Sequence, residues 1–161
     1  MSNSSVIWRI DDRLIHGQVI IGWCSQLPIK KLIVCDDDIA NNEWEKNLLL
    51  MAAPPDIDSK IFTTSEISKL ANEWINGKIL VLVLLKSPFV LKKLIEMGVE
   101  IETVNVGGIH YRQDRKEYLS YLFLSEEEID IFLGLINQGI KFICQDLPTS
   151  SKINLEKLIS K

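Results

Sequence analysis

The sequence predicts an α/β fold, a single open, mostly parallel twisted sheet with helices on both faces (doubly wound). Short apolar runs rich in Val and Ile alternate with longer segments that carry apolar residues at helical spacing. This alternation is typical of a parallel sheet with crossover helices. The chain has 161 residues, of which 47% are hydrophobic and 25% charged. This size and balance indicate one globular domain, which we expect to cover residues 1–161.

The first half of the chain begins with a strand, a polar segment and a helix. Residues 6–10 are predicted to be a strand, residues 11–17 (DDRLIHG) a loop, and residues 18–26 an amphipathic helix. Further strands are predicted at 31–35, 60–63 and 78–85, and further helices at 42–53 and 65–75. Asn42 and Glu45 have the spacing of a capping box, and Pro54-Pro55 ends that helix. Since 78–85 is apolar on both faces, we place it in the sheet interior.

The second half continues the alternation. Helices are predicted at 88–97, 125–138 and 154–160, and strands at 100–106, 118–124 and 140–145. Gly98 ends the first of these helices, Ser125 with Glu128 caps the second, and Gly107-Gly108 is predicted to end the strand 100–106.

Composition excludes several classes of protein. With 18 basic and 22 acidic residues, the net charge is -4, which argues against nucleic acid as the main partner. The apolar runs at 19–23 and 79–85 are far shorter than the ~20 residues that span a bilayer. Residues 1–5 lack a basic, apolar signal sequence, so we expect a cytoplasmic protein without direct membrane insertion. Cys24, Cys35 and Cys144 are odd in number and lack C-x-x-C spacing, which indicates reduced core thiols.

Candidate site residues follow the predicted strands, because ligands of open α/β sheets bind outside the carboxyl ends of the strands. This rule selects both histidines and the glycine pair, in the following set: Asp11, Asp12, Arg13, His16, Asp36, Asp37, Asp38, Lys86, Ser87, Gly107, Gly108 and His110.

His16 has the surroundings that suit a transient phosphoryl carrier. It lies before a helix, whose free N–H groups and positive dipole end favour an anion. Arg13 offers a planar, permanently charged fork for phosphate oxygens. Asp11 or Asp12 can accept a hydrogen bond from one ring nitrogen and leave a lone pair on the other. Spacing alone equally allows His16 to cap the helix or to bind Asp12.

The segment IDDRLIHGQVIIGW (residues 10–23) closely resembles the active-site segment of a known family, the IIB components of the mannose/fructose/sorbose family of the bacterial phosphoenolpyruvate-dependent sugar phosphotransferase system (PTS). Three further segments resemble that family in the same order along the chain: VCDDDIANNEWEKNLLLMAAPP (34–55), KILVLVLLKSP (78–88) and VNVGG (104–108). Together they cover nearly the whole chain, and the length suits a IIB unit without a fused IIA domain.

The resemblance implies that His16 receives a phosphoryl group from the phosphohistidine of a IIA domain. His16 then passes it to a sugar held by the IIC and IID membrane subunits. It implies a catalytic loop with Asp11, Asp12 and Arg13, in which Arg13 and the Gly17 and Gln18 amides bind phosphate. We expect the pros nitrogen (Nδ1) of His16 to carry the phosphoryl group, although spacing does not distinguish the two nitrogens. The chemistry requires no metal or other cofactor.

The chain departs from the family pattern after the diglycine, where Ile109 is followed by His110. His110 is either an incidental surface histidine or part of a site rim with Asp36, Lys86, Gly107 and Gly108. The run Asp36 to Asp38 suggests Mg²⁺, but we favour an aspartate that orients the His16 loop or caps a helix, with the others solvated.

Two other functions stay open. One is a regulatory or docking protein of IIB fold in which phosphate on His16 is only a signal. The weaker one is a flavodoxin-like hydrolase or nucleotide binder, but G-x-x-x-x-G-K-[ST], G-x-G-x-x-G and G-x-S-x-G are all missing from the sequence. The transported sugar and the choice between monomer and homodimer are not encoded in any motif.

Overall fold

The computed structural model describes residues 5–160, which form a seven-stranded sheet and a separate two-stranded hairpin. Residues 1–4 and residue 161 lie outside the described residues. The prediction that the chain begins without a signal sequence concerns residues 1–5, so most of it falls there.

The large sheet confirms the predicted fold class. Its strands are β1 Val6–Asp11, β2 Ile29–Cys35, β3 Asp58–Phe62, β4 Leu80–Leu85, β5 Thr103–Gly108, β8 Lys141–Cys144 and β9 Ile153–Asn154; the hairpin consists of β6 Lys116–Leu119 and β7 Leu122–Leu124. The order across the sheet is β3-β2-β4-β1-β5-β8-β9. Every neighbouring pair is parallel except β8 and β9. As predicted, β4 is interior, and Val81 to Leu85 are fully buried.

Helices cover both faces of the sheet. They are α1 Asp37–Ala40, α2 Glu43–Leu50, α3 Thr64–Ile75, α4 Pro88–Glu96, α5 Glu126–Asn137, α6 Leu155–Ile159 and a π-helix at Val19–Cys24. The apolar side chains of α3, α4, α5 and α6 pack in one core cluster. Those of the π-helix, α1 and α2 pack in the other cluster, on the opposite face. The arrangement is therefore doubly wound, as the alternation of periods predicts.

The segment predicted as an α-helix at 18–26 is instead a short π-helix. The Ser25 N–H donates to the Ile20 carbonyl at 3.1 Å, which is an i to i+5 spacing. Apolar periodicity over so few residues does not distinguish 3.6 residues per turn from the wider π turn.

Two shorter elements also differ from the prediction. Residues 118–124 are not one strand, because the chain turns at Ser120 and Tyr121 and forms the hairpin β6-β7. The four-residue helix α1 and the two-residue strand β9 were not predicted, since elements of this length carry no full period of apolar residues.

The predicted chain break at the glycine pair is wrong, because β5 continues through Gly107 and Gly108. A Cβ atom at Gly107 would lie 2.0 Å from Nη2 and 2.1 Å from Cζ of Arg9. Gly107 lies where the register between β1 and β5 shifts, since Ile10 pairs with Val106 and Asp11 with Gly108. Its missing side chain makes room for a guanidinium group of the neighbouring strand β1.

Arg9 is fully buried inside the sheet layer. Its guanidinium donates hydrogen bonds to the Asn105 side chain and to the carbonyls of Gln145 (2.9 Å) and Asp146 (3.0 Å). It also lies 4.5 Å from the centroid of the Trp23 ring. Burial lowers the pKa of Arg9 to about 10 against the opposing effect of Asp11, so the group stays charged at neutral pH. Arg9 thus ties β1 to β5 and to the end of β8.

The three cysteines are buried thiols, as predicted. Burial raises the pKa of Cys24 to about 11 and that of Cys35 and Cys144 to about 12. All three are consequently protonated and unreactive at neutral pH.

We predict that Gly107→Ala destabilises the fold by about 1–3 kcal/mol, the usual cost of overpacking a buried position. The added methyl group overlaps a guanidinium group that four neighbours hold in place. Urea unfolding followed by far-UV circular dichroism measures the free energy of unfolding.

Gly134→Ala is the matched control, because its Cβ atom meets nothing within 4 Å. Gly134 lies in α5, so this change should stabilise the protein by up to about 1 kcal/mol through helix propensity. Equal stability of Gly107→Ala and the wild type would contradict the packing argument.

Candidate active site

The loop after β1 is folded back on itself. The Asp12 N–H donates to the Gly108 carbonyl, and the Leu14 N–H to the Asp11 carbonyl, both at 3.0 Å. Leu14 has a φ of 59°, a left-handed conformation that is uncommon for a residue with a Cβ atom. Leu14 and Ile15 are both buried. These apolar side chains anchor the loop and return the His16 ring to the end of β1.

Asp11 is the fully buried centre of this loop. Its Oδ1 accepts from the Arg13 N–H at 3.2 Å and from Nε at 3.1 Å, and its Oδ2 accepts from Arg13 Nη2 at 3.1 Å. Arg9 Nη2 approaches the same Oδ2 from inside the sheet at 3.5 Å. Two guanidinium groups therefore face the Asp11 carboxylate, and the Asp146 carboxylate also acts on Arg9.

The Arg13 guanidinium is held in one orientation by its hydrogen bonds to Asp11. Its side chain is 30% exposed, and one edge of its fork is bound to Asp11. Within residues 5–160 no group accepts a hydrogen bond from Nη1. A Cβ atom at Gly108 would lie 3.2 Å from Arg13 Nη2, so this glycine packs closely against the fork. The free edge of Arg13 remains available to an anion.

His16 is a part-buried, neutral ring. Its Nδ1 lies 2.7 Å from the Leu14 carbonyl, which only accepts hydrogen bonds, so Nδ1 carries the proton. The Nε2 atom therefore carries the lone pair; it is buried, has no hydrogen-bond partner among residues 5–160, and lies 3.8 Å from Asp11 Oδ2. Burial lowers the pKa of His16 below 6.5, although the Leu14 hydrogen bond and the Asp11 charge act in the opposite direction.

This geometry changes the predicted partners of the ring. The expectation that Asp11 or Asp12 accepts from His16 is wrong, because the Leu14 carbonyl takes that role. Phosphorylation on Nδ1 stays a prediction, and it requires the ring to give up its bond to Leu14. The roles of the Gly17 and Gln18 amides also stay predictions. The Gln18 side chain donates to Asp146 Oδ1 at 2.6 Å.

Asp12 does not contact His16 but holds the other histidine. Its Oδ2 accepts from the His110 N–H at 2.9 Å, and its Oδ1 is the partner of His110 Nδ1. Arg115 lies 3.9 Å from Asp12 and donates to the His110 carbonyl at 2.9 Å. Glu128 in turn accepts from Arg115 at 2.8 Å.

A cleft of about 200 Å³ lies beside the loop; Arg13 and His110 both line it, and His16 is not among its lining residues. It is lined by polar and aromatic side chains from the loop, from the segment after β5 and from the hairpin: Arg13, Gln18, Gly108, His110, Ser120, Tyr121, Phe123 and Asp146. Of the predicted rim, Gly108 and His110 are therefore in place, and Gly107 lies behind them against Arg9.

Asp36 and Lys86, which were also predicted for a site rim, do not line this cleft. Asp36 caps α1 by accepting from the Ile39 N–H at 2.9 Å, which confirms the capping alternative. Lys86 is exposed and does not line the cleft. Asp37 accepts from the Thr64 N–H at 2.7 Å and from Lys93 Nζ at 2.6 Å, so it is not simply solvated. Across residues 5–160, no group of three or more His, Cys, Asp or Glu side chains suits a metal ion.

Three contributors were missed by sequence reasoning, namely Arg9, Gln145 and Asp146. Gln145 and Asp146 follow β8, so the rule that selected the other candidates would have found them too. Arg9 gave no such signal, because an arginine within a strand normally faces solvent.

Between residues 5 and 160, no helix is long and apolar enough to cross a membrane.

Known proteins match this chain along most of its length. Residues 5–161 match the family model of the PTS system sorbose subfamily IIB component. The fructose-specific EIIB component of the PTS of Bacillus subtilis is 31% identical, and the alignment covers 96% of this chain and 94% of that protein. The mannose-specific EIIAB component of Escherichia coli is 33% identical, and this chain spans about half (47%) of its length.

The solved structure of the IIBSor domain of the sorbose permease from Klebsiella pneumoniae has the same fold. Its TM-score is 0.85 at 29% identity, with 96% of each chain covered. The sheet, the loop after β1 and these matches lead to one conclusion. The chain belongs to the sorbose subfamily of IIB components of the PTS.

Proposed function

We propose that this protein is a phosphoryl carrier that accepts a phosphoryl group on His16 from a phosphorylated IIA domain and transfers it to a sugar held by IIC and IID membrane subunits. The observation that carries the proposal is the His16 ring, neutral and part-buried, beside two arginines that share the Asp11 carboxylate. A neutral ring nitrogen attacks phosphorus without a separate strong base.

Charge supports the phosphorylated state. Phosphoryl transfer depends mainly on positioning and on the stabilisation of charge that spreads over three oxygens. Asp11 already holds the Arg13 side chain in place, so its free Nη1 edge can bind a phosphoryl group on His16 without a change of conformation. Arg9 adds a second, buried positive charge on the Asp11 carboxylate, and burial weakens the screening of that charge by water.

The family supports the choice of partners. Relatives are named as fructose-, mannose-, sorbose- and N-acetylgalactosamine-specific PTS components. We infer a hexose, ketohexose or amino sugar as the final acceptor here, and action at the cytoplasmic face of the membrane subunits. The cleft beside Arg13 is the surface at which the two transfers occur.

We predict that the protein gains one phosphoryl group when incubated with phosphoenolpyruvate, the two general PTS proteins and a IIA domain. Intact-mass spectrometry should show this gain in the wild type and in His110→Ala, and no gain in His16→Ala. The adduct should be lost in mild acid. Phosphate retained by His16→Ala would overturn the assignment, and a wild type that accepts phosphate but never delivers it to sugar would instead favour a signalling role.

Arg13→Gln should slow phosphoryl acceptance by about 10²-fold, the usual effect of removing one donor that stabilises transition-state charge. The exposed Arg112, which pairs with Asp114 at 2.7 Å, provides Arg112→Gln as a control of equal charge change. Quench-flow with radiolabelled phospho-IIA measures both rates. An equal effect of the two changes would show that only net charge matters.

His16 should titrate below 6.5 in the folded protein, as followed by the ring proton shifts in NMR. The unfolded ring binds its proton at a higher pH than the folded ring, so the unfolded state takes up more protons as the pH falls through and below 6.5. The free energy of unfolding should therefore fall with acidification across this window. His16→Gln should lose this component, and an unchanged pH dependence in that variant would contradict the assignment.

A further inference from the structure

We propose that His110, oriented by Asp12, is the base that removes the proton from the sugar hydroxyl when the phosphoryl group leaves His16. This inference rests on the proposed function and adds a residue to its second half-reaction. It assigns a role to the histidine that follows the glycine pair.

The side chain of His110 is 57% exposed, yet hydrogen bonds fix both its ring and its backbone. Asp12 accepts from both its backbone N–H and its ring. Arg115 fixes the His110 carbonyl and approaches Asp12, and the nearly buried Glu128 holds Arg115. An incidental surface histidine would not need an aspartate, an arginine and a glutamate to keep it in one orientation.

The aspartate also sets the tautomer of the ring. A carboxylate only accepts hydrogen bonds, so the nitrogen beside Asp12, Nδ1, must carry the proton. The lone pair is therefore on Nε2, and no group within residues 5–160 donates to it. An aspartate that holds a histidine in the tautomer with a free Nε2 is the arrangement that enzymes use to orient a general base.

His110 lines the same cleft as Arg13 and Gln18, the phosphate-binding residues of the proposed function. Asp12, which holds His110, follows directly after Asp11, which holds Arg13. The phosphate ligand and the base thus depend on consecutive carboxylates. His16 is 18% exposed at its side chain against 57% for His110, so His110 is the more accessible of the two to a group delivered by another protein.

The chemistry separates the two halves of the cycle. When His16 accepts phosphate, a ring lone pair attacks phosphorus and no hydroxyl proton is released. When phosphate leaves, the P–N bond breaks and its electron pair returns to His16, while a P–O bond forms to the sugar oxygen. The hydroxyl proton passes to His110 Nε2 and then to water. Only this second step needs a base.

The test measures both half-reactions of full-length His110→Gln, because glutamine keeps a polar side chain but is not a base. Phosphorylated protein is mixed with membrane vesicles that contain IIC and IID subunits, and with radiolabelled fructose, mannose, sorbose or N-acetylgalactosamine. We expect the kcat of sugar phosphorylation to fall by about 10²-fold, the usual contribution of a general base, and phosphoryl acceptance from IIA to change far less.

Two controls sharpen the result. Gln113 is exposed in the same loop, so Gln113→Ala should match the wild type in both steps. Asp12→Asn should slow the sugar step, and Asp12→Asn combined with His110→Gln should be no slower than His110→Gln alone, because the two residues act as a unit.

Each remaining outcome is decisive. Sugar phosphorylation by His110→Gln within threefold of the wild type would overturn the inference. So would a defect that appears only in the KM for the vesicles and is rescued by more of them, because it would make His110 a docking residue. If the phosphorylated wild type delivers to none of the four sugars, the proposed function fails and the inference fails with it.

Discussion

The site depends on one buried carboxylate shared by two arginines. Asp11 and Arg9 are both fully buried, and a charge in that position is tolerated only when it is paired and hydrogen-bonded. Neighbouring structure satisfies this demand. Gly107 leaves space for the guanidinium, and the Gln145 and Asp146 carbonyls accept from it. The course of β5 and of the chain after β8 is therefore coupled to the geometry of the loop after β1.

The same pairing explains why His16 is neutral yet ready for an anion. Burial and the two cations disfavour a proton on the ring, while the free edge of the Arg13 fork can still donate to an anion. A single carboxylate between Arg9 and Arg13 holds both arginines in place. Asp12, although adjacent in sequence, is turned away to His110, and the side chain of Asp146 is bound by Gln18.

The division between Asp11 and Asp12 follows from strand geometry. Successive residues at the end of a strand point to opposite sides, so Asp11 faces the two arginines and Asp12 faces His110. In the sequence the two aspartates are equivalent alternatives for His16, because both fall in the predicted loop. Recognising Asp11 as the last residue of β1 would have separated their roles. The three aspartates after β2 diverge similarly, since α1 directs Asp36 to a helix cap and Asp37 to Lys93.

The fold class, the interior strand, the main helices and the loop that carries His16 and Arg13 could all be predicted before the structure was known. These features follow from local periodicity, from capping residues and from a motif of adjacent residues. Only the folded structure shows that Arg9 is paired with Asp11, that the Leu14 carbonyl accepts a hydrogen bond from the His16 ring, and that His110 is paired with Asp12. Asp12 and His110 are 98 positions apart, and Arg9 is held by the carbonyl of Asp146, 137 positions away. The Leu14 contact is local but requires the left-handed conformation of Leu14. Formation of the long-range contacts depends on strand order and side-chain burial, which no local pattern encodes.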